Sequence, residues 1–361
     1  MKQILLVCLL FVTNACFSSK EAVRKPASKQ ENVLFYPAYG YLKNDAWQIP
    51  LQAWVHEDRA LLEALADLPG KLGITERREL QNFHQRIRAF MADSKSRQRV
   101  TFRFEQDPEQ QEYALQDNNG ESQKSGLNGL VEGVLSLPVA KAEDLLRQQN
   151  SQSGWLTFHA SSAGHSGTGR IQLIPPTGLS IVSDIDDTVK VTEIPAGKEV
   201  VVRNTFLRDF VAAPEMAAMY QQFDHATFHY VSGGPFQLYA PLSEFLLQAG
   251  FPEGTFHMKV IPKHLLSLHT WDGLARLVVN PAATFDHKIK EISELLRRFP
   301  QREFILIGDS GERDPEIYAQ LRREFKAQIK EIRIRDVVND QEKNKARLAE
   351  MTIIPVLPKS Q

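Results

Sequence analysis

Two folded regions of different class are predicted: a β-rich, sandwich-like region over 33–176 with inserted helices, then an α/β region over 177–361 whose mostly parallel sheet is flanked by helices. Three observations predict this. Between residues 100 and 174 the chain runs in short strand-like segments split by Asn, Gly and Ser turns. From residue 179 onward, apolar runs alternate with amphipathic helical stretches. Between these styles stands Pro175-Pro176-Thr177-Gly178, a turn-forming break and the natural domain boundary.

The amino terminus reads as an address. Lys2 precedes the apolar run Ile4 to Val12, followed by Thr13-Asn14-Ala15-Cys16. A positive start, a short apolar stretch and a small residue before the cut predict a secretory signal over 1–18. Ala15-Cys16 resembles a bacterial lipoprotein cleavage box, so Cys16 is the candidate acylated residue, although Thr13 stands where such boxes usually carry Leu. Export to the periplasm or cell envelope follows, with a lipid anchor to a membrane. Residues 19–32 read as a polar tether. The two cysteines, Cys8 and Cys16, both lie in this leader, so the exported protein has no disulfide framework and no cysteine-based metal site.

Bulk properties exclude little else. The 361 residues are 42% hydrophobic and 24% charged with a formal net charge of -1, which gives no electrostatic case for nucleic-acid binding. The local basic group Arg322, Arg323, Lys326 and Lys330 reads as a solvated helix face.

In the first region, Trp47 to Val55 alternates as a half-buried strand, and Asp58–Leu68 and Glu76–Met91 turn helical, with Leu80, Phe83, Ile87 and Phe90 on one face. Strand signals return at Val100–Phe104, Glu112–Leu115, Leu130–Leu137, Trp155–His159 and Gly169–Ile174. His159 and His165 read as structural, and the large aromatics as core. In the second region the strands are Leu179–Ser183, Thr227–Val231, Thr255–Val260, Phe304–Ile307 and Ile329–Ile334. The helices are Val202–Phe210, Pro214–Phe223, Pro235–Gln248, Asp286–Phe299 and Pro315–Phe325, three of them opened by proline.

Three strands of the second region end alike. The first runs into Asp184, the second into Ser232-Gly233-Gly234, and the fourth into Gly308-Asp309-Ser310-Gly311. In a parallel sheet the carboxyl ends share one edge, where ligands bind. Asp184 and Asp309 offer the hard oxygens that Mg²⁺ prefers. Asp184 can then attack phosphorus, Asp186 can move protons, and Ser232 with the Gly233 and Gly234 amides can cradle phosphoryl oxygens. Lys288, placed at the start of a helix, supplies the cation, with Lys290 as its competitor.

Asp184-x-Asp186-x-Thr188, a serine after the second strand, a lysine before the last strand, and Gly308-Asp309-x-x-x-x-Asp314 resemble the four motifs of the haloacid dehalogenase superfamily in order. Ser183 to Lys190, Val231 to Pro235, His287-Lys288 and Leu306 to Tyr318 resemble more closely the catalytic domain of the actin-patch-protein type of phosphatidate phosphatase. The resemblance covers about residues 177–340 and implies a Rossmann-like, haloacid-dehalogenase-type sheet. It implies Asp184 as nucleophile, Asp186 as acid/base and backbone metal ligand, and Asp309 as metal ligand with Asp314 supporting the metal shell. Thr188 and Ser232 are implied to hydrogen-bond, and Lys288 to steady a phospho-intermediate. It assigns Asp187 no catalytic role.

The expectation is an exported Mg²⁺-dependent phosphatase with a lipid phosphate such as phosphatidate as substrate. Phe236, Leu238, Tyr239 and Leu242 are candidates for an acyl groove, set against a core role that their helical spacing favours. The competing readings are a general exported phosphomonoesterase or phosphotransferase on soluble esters, and a non-catalytic envelope-binding scaffold. The intact motif set counts against the scaffold.

Overall fold

The structure, a computed structural model, describes residues 31–57, 68–117, 119–261, 268 and 270–356. The signal over 1–18 with Cys16, the tether up to residue 30 and residues 58–67 of the expected helix Asp58–Leu68 lie outside the described residues. Among the described residues no helix is long and apolar enough to cross a membrane.

The first region contributes β1 (Glu31–Phe35), β2 (Ala38–Lys43), β3 (Ala46–Glu57), β4 (Asp93–Ser94), β5 (Thr101–Phe104), β6 (Tyr113–Ala114), β7 (Leu130–Pro138), β8 (Trp155–Ala160), β9 (His165–Ser166) and β10 (Thr168–Leu173). They join in a 10-stranded sheet of order β6-β5-β8-β10-β2-β3-β1-β9, with β4 and β7 on β3. Pairing is antiparallel except for β1–β9 and β2–β10, so the region is not antiparallel throughout. The chain leaves β2 at Lys43 and returns alongside it at Thr168, which a hairpin cannot do. β1 also begins at Glu31, inside the stretch read as tether.

Alternation builds the core here. Ile49, Leu51, Ala53 and Val55 of β3 face inward with Phe35, Phe102, Leu137 and Phe158. Trp54, on the opposite face, packs into the cluster shared with the second region. The helix α1 (Arg77–Met91) does the same. Its Phe83, Ile87 and Phe90 join Val202, Phe206 and Leu207, so this inserted helix packs with the second region.

The second region holds β11 (Leu179–Ser183), β12 (Thr227–Pro235), β13 (Gly254–Lys259), β14 (Glu303–Asp309), β15 (Ile329–Arg335) and β16 (Thr352–Ile354) in a 6-stranded sheet of order β13-β12-β11-β14-β15-β16. All five pairings are parallel. Such strands are buried on both faces and read as continuous apolar runs. Ile181, Ile305 and Ile307 enter one core; Val182, Phe304 and Leu306 enter the other.

Helices flank this sheet, with several boundaries moved. The helix expected over Val202–Phe210 is α2 (Lys198–Val202) running into a wider π turn, Arg203–Leu207. α3 (Met216–Tyr220) begins two residues after Pro214, because Glu215 takes a left-handed conformation, φ 63. Pro235 ends β12, and a 3-10 turn (Phe236–Leu238) precedes α4 (Tyr239–Gln248). α5 (Trp271–Val278) and β16 were absent from the sequence reading. α6 (Pro281–Arg298) starts five residues before Asp286: the Asn280 side chain accepts from Ala283 N at 3.2 Å and Pro281 sits at the first position. α7 (Asp314–Glu324) follows β14.

Arg302 fastens the boundary between the regions. Its buried guanidinium donates to the carbonyls of Pro175 (2.8 Å), Thr177 and Leu179 (2.6 Å), and to Ser180 Oγ (2.9 Å).

Candidate active site

β12, β11 and β14 are adjacent, so their carboxyl ends deliver Ser232, Asp184 and Asp309 to one place. All three are buried. Gly308 makes room: a Cβ there would stand 2.3 Å from Asp314 Oδ2, so only glycine lets the start of α7 come this close.

Lys288 sits at the centre. Its ammonium lies 2.7 Å from Asp184 Oδ1, 2.6 Å from Asp314 Oδ1 and 3.5 Å from Glu312 Oε2. It stands two turns into α6 rather than at its opening, because the helix starts earlier than expected. Lys290, 74% exposed, pairs with Glu291 on the surface. Burial would push the Lys288 ammonium down, but Asp184, Asp314 and Glu312 more than offset that and hold it well above its usual value. One cation does not neutralise the group. Burial drives Asp184 and Asp309 well above the carboxylate range, opposed only in part by Lys288, and burial raises Glu312 as well.

The oxygens show what is missing. Asp309 Oδ1 accepts from Gly311 N (2.6 Å) and Glu312 N (3.1 Å). Asp309 Oδ2 and both Asp184 oxygens are buried without a hydrogen-bond partner; the Lys288 contact with Asp184 Oδ1 is a charge contact lacking hydrogen-bond alignment. Unpaired buried carboxylate oxygens are costly. Asp184, Asp309 and Asp314 each offer an oxygen within 4.8 Å of the others. An all-oxygen, surplus-negative donor set of this kind fits a hard divalent cation such as Mg²⁺.

Asp186 is oriented differently. Burial raises its carboxyl, but the Lys190 charge and bonds from Thr192 and Lys190 outweigh this and hold it below the usual range. Ser232 Oγ lies 3.5 Å from Asp186 Oδ2 and accepts from Gly234 N at 2.9 Å. That bond ties the Gly234 amide to Ser232, so it is not free to cradle a phosphoryl oxygen as expected. Thr188 is buried with its hydroxyl unpartnered, so the hydrogen bond implied for it is not made within the chain. Ile185 O takes the amides of Val189 and Lys190, and this tight turn carries Thr188 inward.

Asp187 now has an explanation. It stands in a left-handed conformation, φ 56, and its carboxylate accepts from Thr192 N (2.8 Å), Glu193 N (2.7 Å) and Ile194 N (2.7 Å). Arg335 donates to its carbonyl at 2.7 Å. It folds the loop after β11 and does not face the cluster.

Beside Asp186 lies a cavity of about 20 Å³, room for about one water. Gly233, Gly234 and Glu312 border it, and Ile194, Val201, Phe210, Leu238, Leu242 and Val278 form an apolar wall. Leu238 and Leu242 are therefore both core and cavity lining, whereas Phe236 and Tyr239 pack on Tyr36 of the first region. Sequence reasoning missed Lys190, Thr192, Glu312 and Lys259. The first three follow motif carboxylates within a few residues, the one signal available. Lys259 ends β13 at the same edge, donates to Thr284 Oγ1 at 3.1 Å, and is lowered by burial. His159 and His165 are structural: His165 bonds Ser162 (2.8 Å) and Glu31 (3.1 Å), and His159 bonds Thr168 (3.0 Å).

Strand-end carboxylates around a buried lysine, on a parallel sheet flanked by helices, are consistent with the haloacid dehalogenase superfamily. Residues 179–336 match the family described as "Phosphatidate phosphatase APP1, catalytic domain". Phosphatidate phosphatase APP1 of Saccharomyces cerevisiae is 30% identical over 189 residues, 50% of this chain and 30% of that protein. An uncharacterized protein of Schizosaccharomyces pombe is 31% identical over 175 residues, 47% of this chain and 27% of that one. The chain thus spans under a third of the length of these curated relatives. A solved structure described as "The active site of a carbohydrate esterase displays divergent catalytic and non-catalytic binding functions" is 10% identical over 84% of this chain and 87% of its own. Its TM-score of 0.21 is too low to bear on fold or function.

Proposed function

We propose that the chain is a Mg²⁺-dependent phosphatase that works through an aspartyl-phosphate on Asp184, with phosphatidate as substrate and diacylglycerol and phosphate as products. The observation that carries this is the set of buried, unpartnered oxygens on Asp184 and Asp309 around the single ammonium of Lys288. Asp184, Asp309 and Asp314, with the Asp186 carbonyl, are the residues that would hold Mg²⁺, which when bound supplies charge neutralisation between carboxylate and phosphate.

Asp184 is the nucleophile, and Lys288 beside its Oδ1 faces the charge of the transferred group. Asp186, ionised in the free protein, takes up a proton from solvent when the phosphate anion binds beside it, because added negative charge favours the neutral carboxyl. It passes that proton to the leaving oxygen and later takes one from water. Ser232, next to Asp186, orients the phosphoryl group. The apolar wall beside Asp186 and the activity in the name of the yeast relative support a lipid leaving group. Residues 1–18 would export the protein, and acylation of Cys16 would hold it at a membrane; mass measurement of the mature amino terminus decides both.

The deciding experiment is phosphate release from dispersed phosphatidate and from soluble monoesters, with Mg²⁺ and with chelator. Mg²⁺-dependent release favouring phosphatidate is expected. Preference for the soluble esters leaves a general phosphomonoesterase, and release from none leaves a scaffold.

A further inference from the structure

The two oxygens of the Asp186 carboxylate are held unequally. Its Oδ1 receives Lys190 Nζ at 2.9 Å and the Thr192 hydroxyl at 2.6 Å. Lys190 also donates to that hydroxyl, which closes a ring of three side chains. Oδ2 accepts only a long contact from Ser232 Oγ, at 3.5 Å, and Asp186 lines the cavity.

Lys190 is buried, with its ammonium 5.2 Å from the centre of the Phe210 ring. Desolvating an ammonium costs several kcal/mol unless its partners repay it, and its partners here are Asp186 and Thr192. The backbone holds both clamp residues in place. Val191 N donates to Val211 O at 2.8 Å, Ala213 N donates to Val189 O at 2.9 Å, and Asp187 Oδ1 fixes the Thr192 amide. Arg86 of α1 stacks 3.7 Å from the same Phe210 ring and donates to the carbonyls of Thr205 (3.0 Å) and Arg208 (2.6 Å). The clamp is therefore braced by a helix outside the matched segment.

We infer that Lys190 and Thr192 are positioning residues that occupy Asp186 Oδ1 and so commit Oδ2 to all proton exchange with the substrate. This rests on the acid/base reading of Asp186. In the first half, the bond from Asp184 to phosphorus forms as the ester bond breaks, and the Oδ2 proton goes to the leaving oxygen. In the second half, a water oxygen bonds to phosphorus, its proton goes to Oδ2, and the Asp184–phosphorus bond breaks.

The test compares an ester that needs a proton on its leaving group with one that does not: soluble short-chain phosphatidate against p-nitrophenyl phosphate, using the full chain. Reading kcat/KM confines the comparison to steps up to leaving-group departure. Thr192→Val and Lys190→Met are expected to lower kcat/KM for the alkyl ester by about 10²-fold, the lower range for general acid catalysis, and for the aryl ester several-fold at most. Thr192→Ser should restore the alkyl ester. An equal fall for both esters, or no fall, overturns the clamp. If Lys190→Met does not fold, Thr192→Val and its Ser rescue still decide. If the wild-type chain hydrolyses neither ester, the phosphatase reading itself fails; if it hydrolyses both and the variants fall in parallel, only the clamp fails.

Discussion

The two sheets differ in what they do with polar groups. The first, over 31–173, alternates inward and outward residues and builds its core from Phe, Leu, Ile and Val; its polar contacts, such as His165 with Glu31 and His159 with Thr168, are scattered pairs. The second buries both faces, so the place where its polar residues converge is the carboxyl edge. Asp184, Asp309, Glu312 and Asp314 gather there around Lys288. A parallel sheet concentrates strand ends from distant parts of the sequence, whereas antiparallel neighbours send theirs to opposite edges. Helix α1 crosses the contrast: by sequence it belongs to the first region, by packing to the second.

The largest effect that would sharpen this contrast is on chemistry. Asp184→Asn should lower turnover by about 10⁴-fold or more, in the range of losing one member of a catalytic set. Its thermal midpoint should hold or rise, because an unneutralised buried carboxylate is removed. A variant that keeps its turnover would locate the nucleophile elsewhere.

Next is the helix that crosses between regions. Arg86→Met should cost about 2–4 kcal/mol by leaving the buried carbonyl of Thr205 and the carbonyl of Arg208 without their donor. Denaturant unfolding should show the loss in the second region's transition as well. If only the first region is weakened, α1 is not part of the second core.

Asp187→Asn keeps a residue tolerant of the left-handed backbone but removes the charge that gathers the amides of Thr192, Glu193 and Ile194. A loss of about 1–3 kcal/mol is expected, with the Asp186 clamp loosened as a result. Unchanged stability in a denaturant titration would show that a neutral oxygen suffices there.

The smallest effect is one of pH. Burial holds His229 well below its ordinary value, where it bonds Thr255 Oγ1 at 2.7 Å and meets Tyr39 of the first region edge-on. The unfolded chain protonates this residue below about pH 6.5 while the folded chain does not. Stability is therefore fully present above that pH and falls by up to about 1.4 kcal/mol per unit as pH drops toward the folded value. His229→Gln should flatten this slope. A slope unchanged by the substitution would assign it to other groups.

Much of the site was legible because its signals are local. Asp184, Ser232 and Asp309 each follow an apolar run directly, and parallel pairing does the rest. Lys288 and Lys290 were not separable, since the two stand about 200° apart around one helix and only packing decides which face is buried. The start of α6 lies at Asn280-Pro281, a cap that precedes the apolar spacing from which the helix is read. Asp187 looked idle because its partners are backbone amides, which carry no sequence signature. The β2–β10 parallel pair and α1's attachment were invisible for a similar reason: an apolar face states that it must be covered, and leaves open by what.

By itself, the sequence determined five of the six strands of the second sheet and the carboxylates at their ends, because burial pattern and chain order are written residue by residue. The tertiary structure alone decided that Lys288 is the buried cation, that Lys190 and Thr192 hold one oxygen of Asp186, and that a helix from the first region braces the wall of the site. Each of these depends on groups far apart in the chain meeting at hydrogen-bond distance, a condition set by packing.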